Sequence, residues 1–392
     1  MLQIPKKLED FSFSVSGKDF GRVLKVCDEV VKFSDADKMV EDLHLIVCDG
    51  KAVYAIGRTI DTFICHRLPA EDVSGVGAAS VDFKSFATLV KRDSVNLAFR
   101  RGGFSAKASR FEFDQSTKQV SLDQLEMIDV TLRSVKTRSD GDALSRKAVS
   151  MLRDAVALTY VPDIYLGAQV TSHIEVANGR LRVSTARNWC VSVYESAIQD
   201  TDDFKLSLHS DMITLLYKVV GDLPAQFYVS GSHFIASSDD FMVTLPPVRS
   251  TDADYNTFAT VVAALGAPVR SCFLGKDFGP ATSTIMQVIA SNPALKGKAV
   301  PFELTVGEKA AKLQFDTDGC RMAETVGAKA TERFNVKLDV RILNLILKNV
   351  MQLDKETQHR CSMYGAVGKY KAARFDYKKA GATLSFMMYA NL

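Results

Sequence analysis

Apolar and polar residues alternate along most of this chain with the period of two that marks half-buried strands, and stretches with helical spacing interrupt the alternation at regular intervals. Three alternating segments predict hairpins: LHLIVCDGKAVYAIG turning at Asp49-Gly50, SHIEVANGRLRVST turning at Asn178-Gly179, and FELTVGEKAAKLQF with Gly307. Asp-Gly and Asn-Gly between alternating apolar positions are strong hairpin signals, because both turn positions need positive φ. Gly50, Gly179 and Gly307 are spaced by 129 and 128 residues. A second element shares this period. ASVDFKSFATLVKR (79–92), FKLSLHSDMITLLYK (204–218) and RFNVKLDVRILNLILK (333–348) each predict a short strand running into an amphipathic helix. The lysines that follow the three apolar stripes, Lys91, Lys218 and Lys348, are spaced by 127 and 130 residues. A third, helix-like element precedes each hairpin at 18–33, 143–157 and 281–291, with Leu24, Leu152 and Met286 at corresponding places.

Three features with one period predict three copies of one α+β domain, each with two helices packed on antiparallel sheet. The copies are expected at 1–130, 138–250 and 266–392, with linkers near Glu126–Gly141 and Ser250–Ala267, where polar residues and turn formers replace the periodic apolar ones.

Composition narrows the function. With 392 residues, 47% apolar and 24% charged, the chain can bury an ordinary core. No apolar run approaches the roughly 18 residues of a membrane span, and Met1 to Asp10 is too polar for a secretory signal. Seven scattered cysteines with no CxxC pair point to reduced thiols in a cytoplasmic protein, not to disulfides or a zinc site. A net charge of +3 means that any nucleic-acid surface must be a local basic face. The chain has no GxxxxGK[ST], HExxH or GxSxG motif, and its six histidines show no metal-ligand spacing. Asp202-Asp203 and Asp239-Asp240 read as solvated turns, and the glycine cluster at 75–80 as a strand start. A non-enzyme without metal or cofactor is expected.

The order and spacing of these elements resemble the bacterial-type beta sliding clamp over nearly the whole chain. The first repeat is similar through DGKAVYAIGRTIDTFICHRL and SVDFKSFATLVKRDSVNLAFRRGGFSAKASRFEF. The second is similar through NGRLRVSTARNWCVSVYES and FYVSGSHFIASSDDFMVTLPPVRSTDADY, the third through RFNVKLDVRILNLIL and the terminal SFMMYANL. The family's threonine-aspartate-glycine-histidine-arginine appears here as Ala186 to Cys190. Its proline-aspartate-tyrosine appears as Ala253-Asp254-Tyr255, and its terminal methionine-proline-methionine-arginine-leucine as Met388 to Leu392. These departures fit a divergent clamp, for instance one from a phage with its own replication proteins.

The resemblance implies a ring around duplex DNA that tethers a polymerase, and helix packing sets its size. Helices about 10 Å apart and about 10 Å thick leave an opening of roughly 9 Å for six of them and roughly 28 Å for twelve. Only the latter admits a duplex. Two chains joined head to tail are therefore expected. GFSAKASRFEF is expected as an edge strand of the first repeat, with Lys107 and Arg110 near the joint and Asp316, Asp318 and Glu324 opposing them.

Basic residues on the helices, Lys18, Arg22, Lys25, Lys32, Lys84, Lys91, Arg92, Arg146, Lys147, Arg153, Lys218, Arg341 and Lys348, are expected to face DNA. A lysine on a helix is ordinarily just solvated, but equivalent positions in three repeats suggest one shared field. Phosphate attraction without base contacts is what sliding needs. The resemblance places a pocket for short peptides of the polymerase and clamp loader at Arg187, Trp189, Val191, Tyr255, Asn335, Leu338, Phe386, Met387, Met388 and Leu392. Its apolar, methionine-rich walls suit several partners. The competing reading is a repeat-built, β-rich nucleic-acid-binding or structural scaffold without ring closure. That reading expects aromatics interleaved with basic residues on exposed strands. A hydrolase with a carboxylate site is disfavoured by the missing motifs.

Overall fold

The computed structural model describes all residues except Met1, 33–42, 60–61, 87–88, 90, 119, 139–141, 163, 165–168, 188, 221–224, 231–232, 246–247, 296–299, 318–319, 354–357, 380 and 391–392. The first third contains β1 (Phe11–Val15), α1 (Gly17–Val31), β2 (Leu43–Cys48), β3 (Val53–Arg58), β4 (Phe63–Leu68), β5 (Glu71–Gly75) and β6 (Gly77–Ser80). A 3-10 turn at Phe83–Phe86 then leads to β7 (Val95–Arg100), β8 (Gly103–Ala108) and β9 (Phe111–Ser116). The middle third opens with α2 (Leu122–Arg138), β10 (Asp142–Leu144), α3 (Arg146–Thr159), β11 (Thr171–Ala177), β12 (Arg180–Ala186) and β13 (Cys190–Ala197). It closes with β14 (Phe204–His209), α4 (Ser210–Val220), β15 (Gln226–Ser230), β16 (His233–Ser237) and β17 (Phe241–Leu245). The last third runs α5 (Asp252–Tyr255), α6 (Thr257–Leu265), β18 (Arg270–Leu274), α7 (Phe278–Ser291), β19 (Pro301–Val306), β20 (Ala310–Thr317) and β21 (Cys320–Ala330). It ends with β22 (Phe334–Asp339), α8 (Val340–Leu353), β23 (His359–Ala366), β24 (Lys369–Lys379) and β25 (Ala382–Tyr389).

The chain forms two compact units, Met1–Arg146 with Thr214–Pro247, and Lys147–Ile213 with Val248–Leu392. The first unit holds a five-stranded sheet, β5-β1-β7-β8-β9, and an eight-stranded one, β10-β15-β16-β17-β4-β3-β2-β6. The second holds twelve strands in the order β14-β11-β12-β13-β25-β24-β23-β18-β21-β20-β19-β22. Strands from different thirds pair directly. β17 lies antiparallel to β4, with Val243 opposite Ile64, and β13 lies antiparallel to β25, with Val191 opposite Met387.

Local chemistry explains the hairpins. Asn178 (φ 52°) and Gly179 (φ 70°) form a two-residue turn between the paired Ala177 and Arg180, and both take the left-handed conformation that this tight connection needs. The Asp49 carboxylate accepts from the Lys51 and Ala52 amides at 2.9 Å each, which closes the longer turn at Gly50. In α1, Phe20, Val23, Leu24, Cys27, Val30 and Val31 form the buried stripe. A Cβ on Gly17 would sit 2.0 Å from the Leu89 carbonyl oxygen, so only glycine lets α1 start against that segment. A cluster of phenylalanines fills the space between α1 and the five-stranded sheet, with ring centroids of Phe11 and Phe99 4.6 Å apart and of Phe86 and Phe104 4.7 Å apart. In the second unit, α7 and α8 bury Phe278, Ile285, Leu343 and Ile346 against Leu304, Phe315, Leu338, Phe375 and Phe386.

The fold differs from the sequence reading at four places. Segment 79–92 gives β6 and a 3-10 turn, and no α-helix among the described residues. Glu126–Gly141 is no linker up to Arg138, because α2 occupies it and buries Leu125, Ile128 and Leu132. Ser250–Ala267 contains α5 and α6. GFSAKASRFEF is not one strand but the β8–β9 hairpin, whose second arm is the sheet edge.

Candidate functional site

Lys18, Arg22 and Lys25 are exposed on α1, opposite its buried stripe, and Lys32 is exposed at its C-cap. Three of them have acidic neighbours on the same helix: Arg22 with Asp19 (3.6 Å), Lys25 with Glu29 (3.8 Å) and Lys32 with Asp28 (2.5 Å). The bond that Lys32 donates to the Asp28 carboxylate raises the Lys32 pKa. Lys84 lies in the 3-10 turn, and Lys91 and Arg92 lie between that turn and β7; all three are exposed, so none sits on an α-helix. Arg92 packs over the Phe111 ring, 5.0 Å from its centroid. Arg146 and Lys147 are exposed at the start of α3, and the half-buried Arg153 pairs with Asp154 (2.7 Å). Lys218 is on α4, with its side chain outside the described residues.

Arg341 and Lys348 are brought together. Both line a groove of about 650 Å³ between α7 and α8, with Met286, Ile289, Asn344 and Leu345. Asp339 accepts from the Arg341 amide at 2.8 Å and so starts α8, while the Arg341 guanidinium donates to the Leu295 carbonyl. From the same helix, Asn349 donates to the carbonyls of Leu158 (3.1 Å) and Tyr160 (2.7 Å) at the end of α3. The intervening Thr159 carbonyl accepts from Thr185 (3.0 Å) and Ser192 (2.8 Å). The free carbonyls that end any helix are therefore bonded here by α8 and by the sheet.

The predicted peptide pocket is joined in part. β13 and β25 are neighbours, with Cys190 opposite Met388 and Ser192 opposite Phe386. Side chains along a strand point alternately to opposite faces. Phe386 and Met388 are therefore buried in the α7–α8 core, together with Leu338, while Met387 and Val191 face the other side. Residues expected to share one groove thus lie on two faces of one sheet. Trp189 is half-buried against the core, and its carbonyl accepts from the Tyr389 amide at 3.4 Å. Arg187 is half-buried in the turn before β13, Asn335 is exposed on β22 beside Glu303, and Leu392 lies outside the described residues.

On the outer face, away from α7 and α8, Tyr255 is buried over His173 and its hydroxyl is within 3.0 Å of Ser207. Burial lowers the His173 pKa. Lys205 joins Asp252 (3.0 Å) to Glu175 (3.2 Å) and so ties α5 to the sheet. Next to α5, α6 covers Val193, Tyr364, Ala372 and Met387. The sequence reading missed α6 as part of this region. The nearest local signal belongs to α5, which opens on Thr251-Asp252-Ala253-Asp254, where the Asp254 carboxylate accepts from the Thr251 amide at 2.6 Å. That bond also lowers the Asp254 pKa.

Each sheet ends in edge strands, and among the described residues two open edges lie where the first and last thirds could meet. β9 pairs only with β8, and β21 from Cys320 to Gly327 pairs only with β20. The predicted interface residues already have local contacts: Lys107 with Glu112 (2.6 Å) and Asp316 with Arg321 (3.5 Å). Arg110 is exposed in the β8–β9 turn, Glu324 is half-buried on β21, and Asp318 lies outside the described residues.

No group of three or more potential metal ligands occurs among the described residues, and no described helix is long and apolar enough to cross a membrane. Asp203 accepts from the Asn178 amide (2.9 Å) at a hairpin turn, and Asp240 pairs with Arg67 (3.4 Å), so both are engaged in turn contacts.

No protein-family model and no curated protein matches the sequence. Solved structures do. A DNA polymerase III subunit beta from Pseudomonas aeruginosa matches with a TM-score of 0.71 at 15% identity, over 97% of this chain and 100% of that one. The beta subunit from Thermotoga maritima gives 0.70 at 12% identity, and that from Streptococcus pneumoniae 0.72 at 10%, each over 97% of this chain and 100% of the other. Over nearly its whole length, the chain has the α+β fold of the DNA polymerase III beta sliding clamps.

Proposed function

We propose that this protein is a sliding clamp without catalytic activity, a ring of two chains that encircles duplex DNA and tethers a DNA polymerase. One observation carries the reading. Strands pair directly between successive thirds of the chain, β17 with β4 and β13 with β25, while β9 in the first third and β21 in the last keep open edges. Open strand edges invite pairing. Joining β9 of one chain to β21 of another closes a two-fold ring of six repeats, at 1–130, 138–250 and 266–392 of each chain. Arg110 and Lys107 lie at one side of each joint, and Asp316, Asp318 and Glu324 at the other.

In that ring the exposed cations of α1, α3 and α8, with Lys84, Lys91 and Lys218, supply a sequence-blind field for phosphates. Polymerase and clamp loader dock short peptides at the β13–β25 junction, around Arg187 to Val191 and the end of the chain. A sliding clamp of Pseudomonas aeruginosa with griselimycin bound, which this chain matches at 15% identity with a TM-score of 0.69, is a protein of this fold that holds a ligand. The test is topological. Loaded by its cognate loader onto nicked circular DNA, the protein stays bound and leaves when the circle is cut once. Equal retention on the circle and the linear form would refute encirclement.

A further inference from the structure

The outer face of the β13–β25 junction is filled by the chain itself. α6 lies on it through Phe258, Val261, Val262 and Leu265, against Val191, Val193, Tyr364 and Met387. These four α6 residues stand at i, i+3, i+4 and i+7, the spacing with which an amphipathic peptide helix fills a partner's groove. The Arg374 guanidinium sits over the Phe258 ring, 5.3 Å from its centroid, and is held there by Asp376 at 2.7 Å. α6 is also a separate segment. Asn256 divides it from α5, and Gly266 (φ 74°) ends it in open space, with no atom within 4 Å of where a Cβ would stand. α5 is fixed to the sheet by polar bonds through Asp252 and Tyr255, whereas α6 meets the sheet through apolar contact and the Arg374 stack. The polar bonds of α6 lie at its start, where Thr257 donates to the Ala253 and Asp254 carbonyls and Asn256 accepts from Arg182.

We propose that α6 is an internal occupant of the partner groove, seated where a partner's peptide goes and displaced by a peptide of the same chemistry. This rests on the reading that partners dock at the β13–β25 junction. The competing peptide is a short amphipathic helix whose aromatic residue takes the place of Phe258 over Arg374, with aliphatic residues three, four and seven positions later. While α6 is seated, the groove is available only for the fraction of time that α6 is away, and the apparent affinity falls by that fraction. A partner with several contacts overcomes this, and a stray apolar peptide does not.

The probe is a fluorescein-labelled synthetic peptide of residues 253–267. Three full-length proteins are compared by fluorescence polarisation: the parent, the V261D/V262D/L265D variant, and a chain with residues 257–265 replaced by a Gly-Ser linker of equal length. Both altered proteins are expected to bind the probe roughly tenfold more tightly than the parent, and Met387→Glu added to either abolishes the gain. Equal binding by all three overturns the proposal. Hydrogen exchange on the unaltered protein gives a check that needs no variant: α6 amides exchange faster than those of β13 and β25. Exchange of α6 as slow as that of β25 overturns it as well. The docking reading is measured separately, by polymerase stimulation. A Met387→Glu ring that stimulates fully would overturn that reading, and with it the partner's role, even where the probe behaves as expected.

Discussion

Replacing Asn349 tests how the end of α3 is held. Its side-chain amide donates to the carbonyls of Leu158 at 3.1 Å and Tyr160 at 2.7 Å, and no other side chain bonds these two oxygens among the described residues. Asn349→Ala removes both bonds and leaves two carbonyls at a helix end facing a partly buried contact. At about 1 kcal/mol per lost bond, the cost is about 2 kcal/mol. Asn349→Asp is worse, because a carboxylate then faces two carbonyls at the negative end of the α3 dipole; a further 1 kcal/mol or so is expected. For a unit of this size each kcal/mol lowers the melting temperature by about 2–4 °C, so Asn349→Ala should melt about 4–8 °C below the parent. Trp189, the chain's single tryptophan, lies in the same compact unit, so its fluorescence follows that unit's transition. An alanine variant that melts within about 1 °C of the parent, or an aspartate variant more stable than the alanine one, would show that Asn349 does not hold the end of α3.

Other outcomes follow from the same structure. Changing Lys91, Lys218 and Lys348 together to Glu should leave the melting temperature near the parent's and weaken retention on nicked circular DNA equally for all sequences, with a flatter salt dependence. Retention equal to the parent's would place these residues away from DNA. Arg110→Glu should shift sedimentation toward single chains, more so at low salt; an unchanged dimer would move the joint away from the β8–β9 turn. Burial drives the His359 pKa down from 6.5 to about 4, so the folded state favours the neutral ring. The stability this provides is complete above pH 6.5 and is lost as pH falls toward 4, by up to about 3 kcal/mol. A His359→Gln variant should show a flatter pH–stability curve over that range, and an identical curve would contradict the assignment. Cys320 lies half-buried on the open β21 edge, so thiol labelling there should slow as protein concentration rises and dimers form. Labelling independent of concentration would argue against β21 as the joint.

The hairpins were legible because their chemistry is local: Asn178-Gly179 states its turn in two residues, and the structure forms it there. The helices α2 and α6 were written less clearly. Ser121 and Gln124 form a reciprocal cap at the start of α2, with bonds of 2.9 and 3.2 Å. Among the described residues, the buried stripe that follows has Leu125, Ile128 and Leu132, and the exposed Met127 and Val130 blur its period. In TFATVVAAL, small residues between the apolar ones make a nine-residue helix resemble a linker. The face assignments of Phe386, Met387 and Met388 could not be read from SFMMY, because a run of consecutive apolar residues carries no alternation. Such a run marks a strand covered on both sides, which is what α6 on one face and the α7–α8 core on the other produce. The pairing of β13 with β25 was foreseen through resemblance, whereas which side chains share a face depends on register, a tertiary property.

Native mass spectrometry of the purified protein decides whether two chains close the ring. Two copies of the 43.0 kDa chain, in a complex that persists on dilution, are predicted. A single chain across the whole concentration range, or any assembly other than two copies, would contradict it.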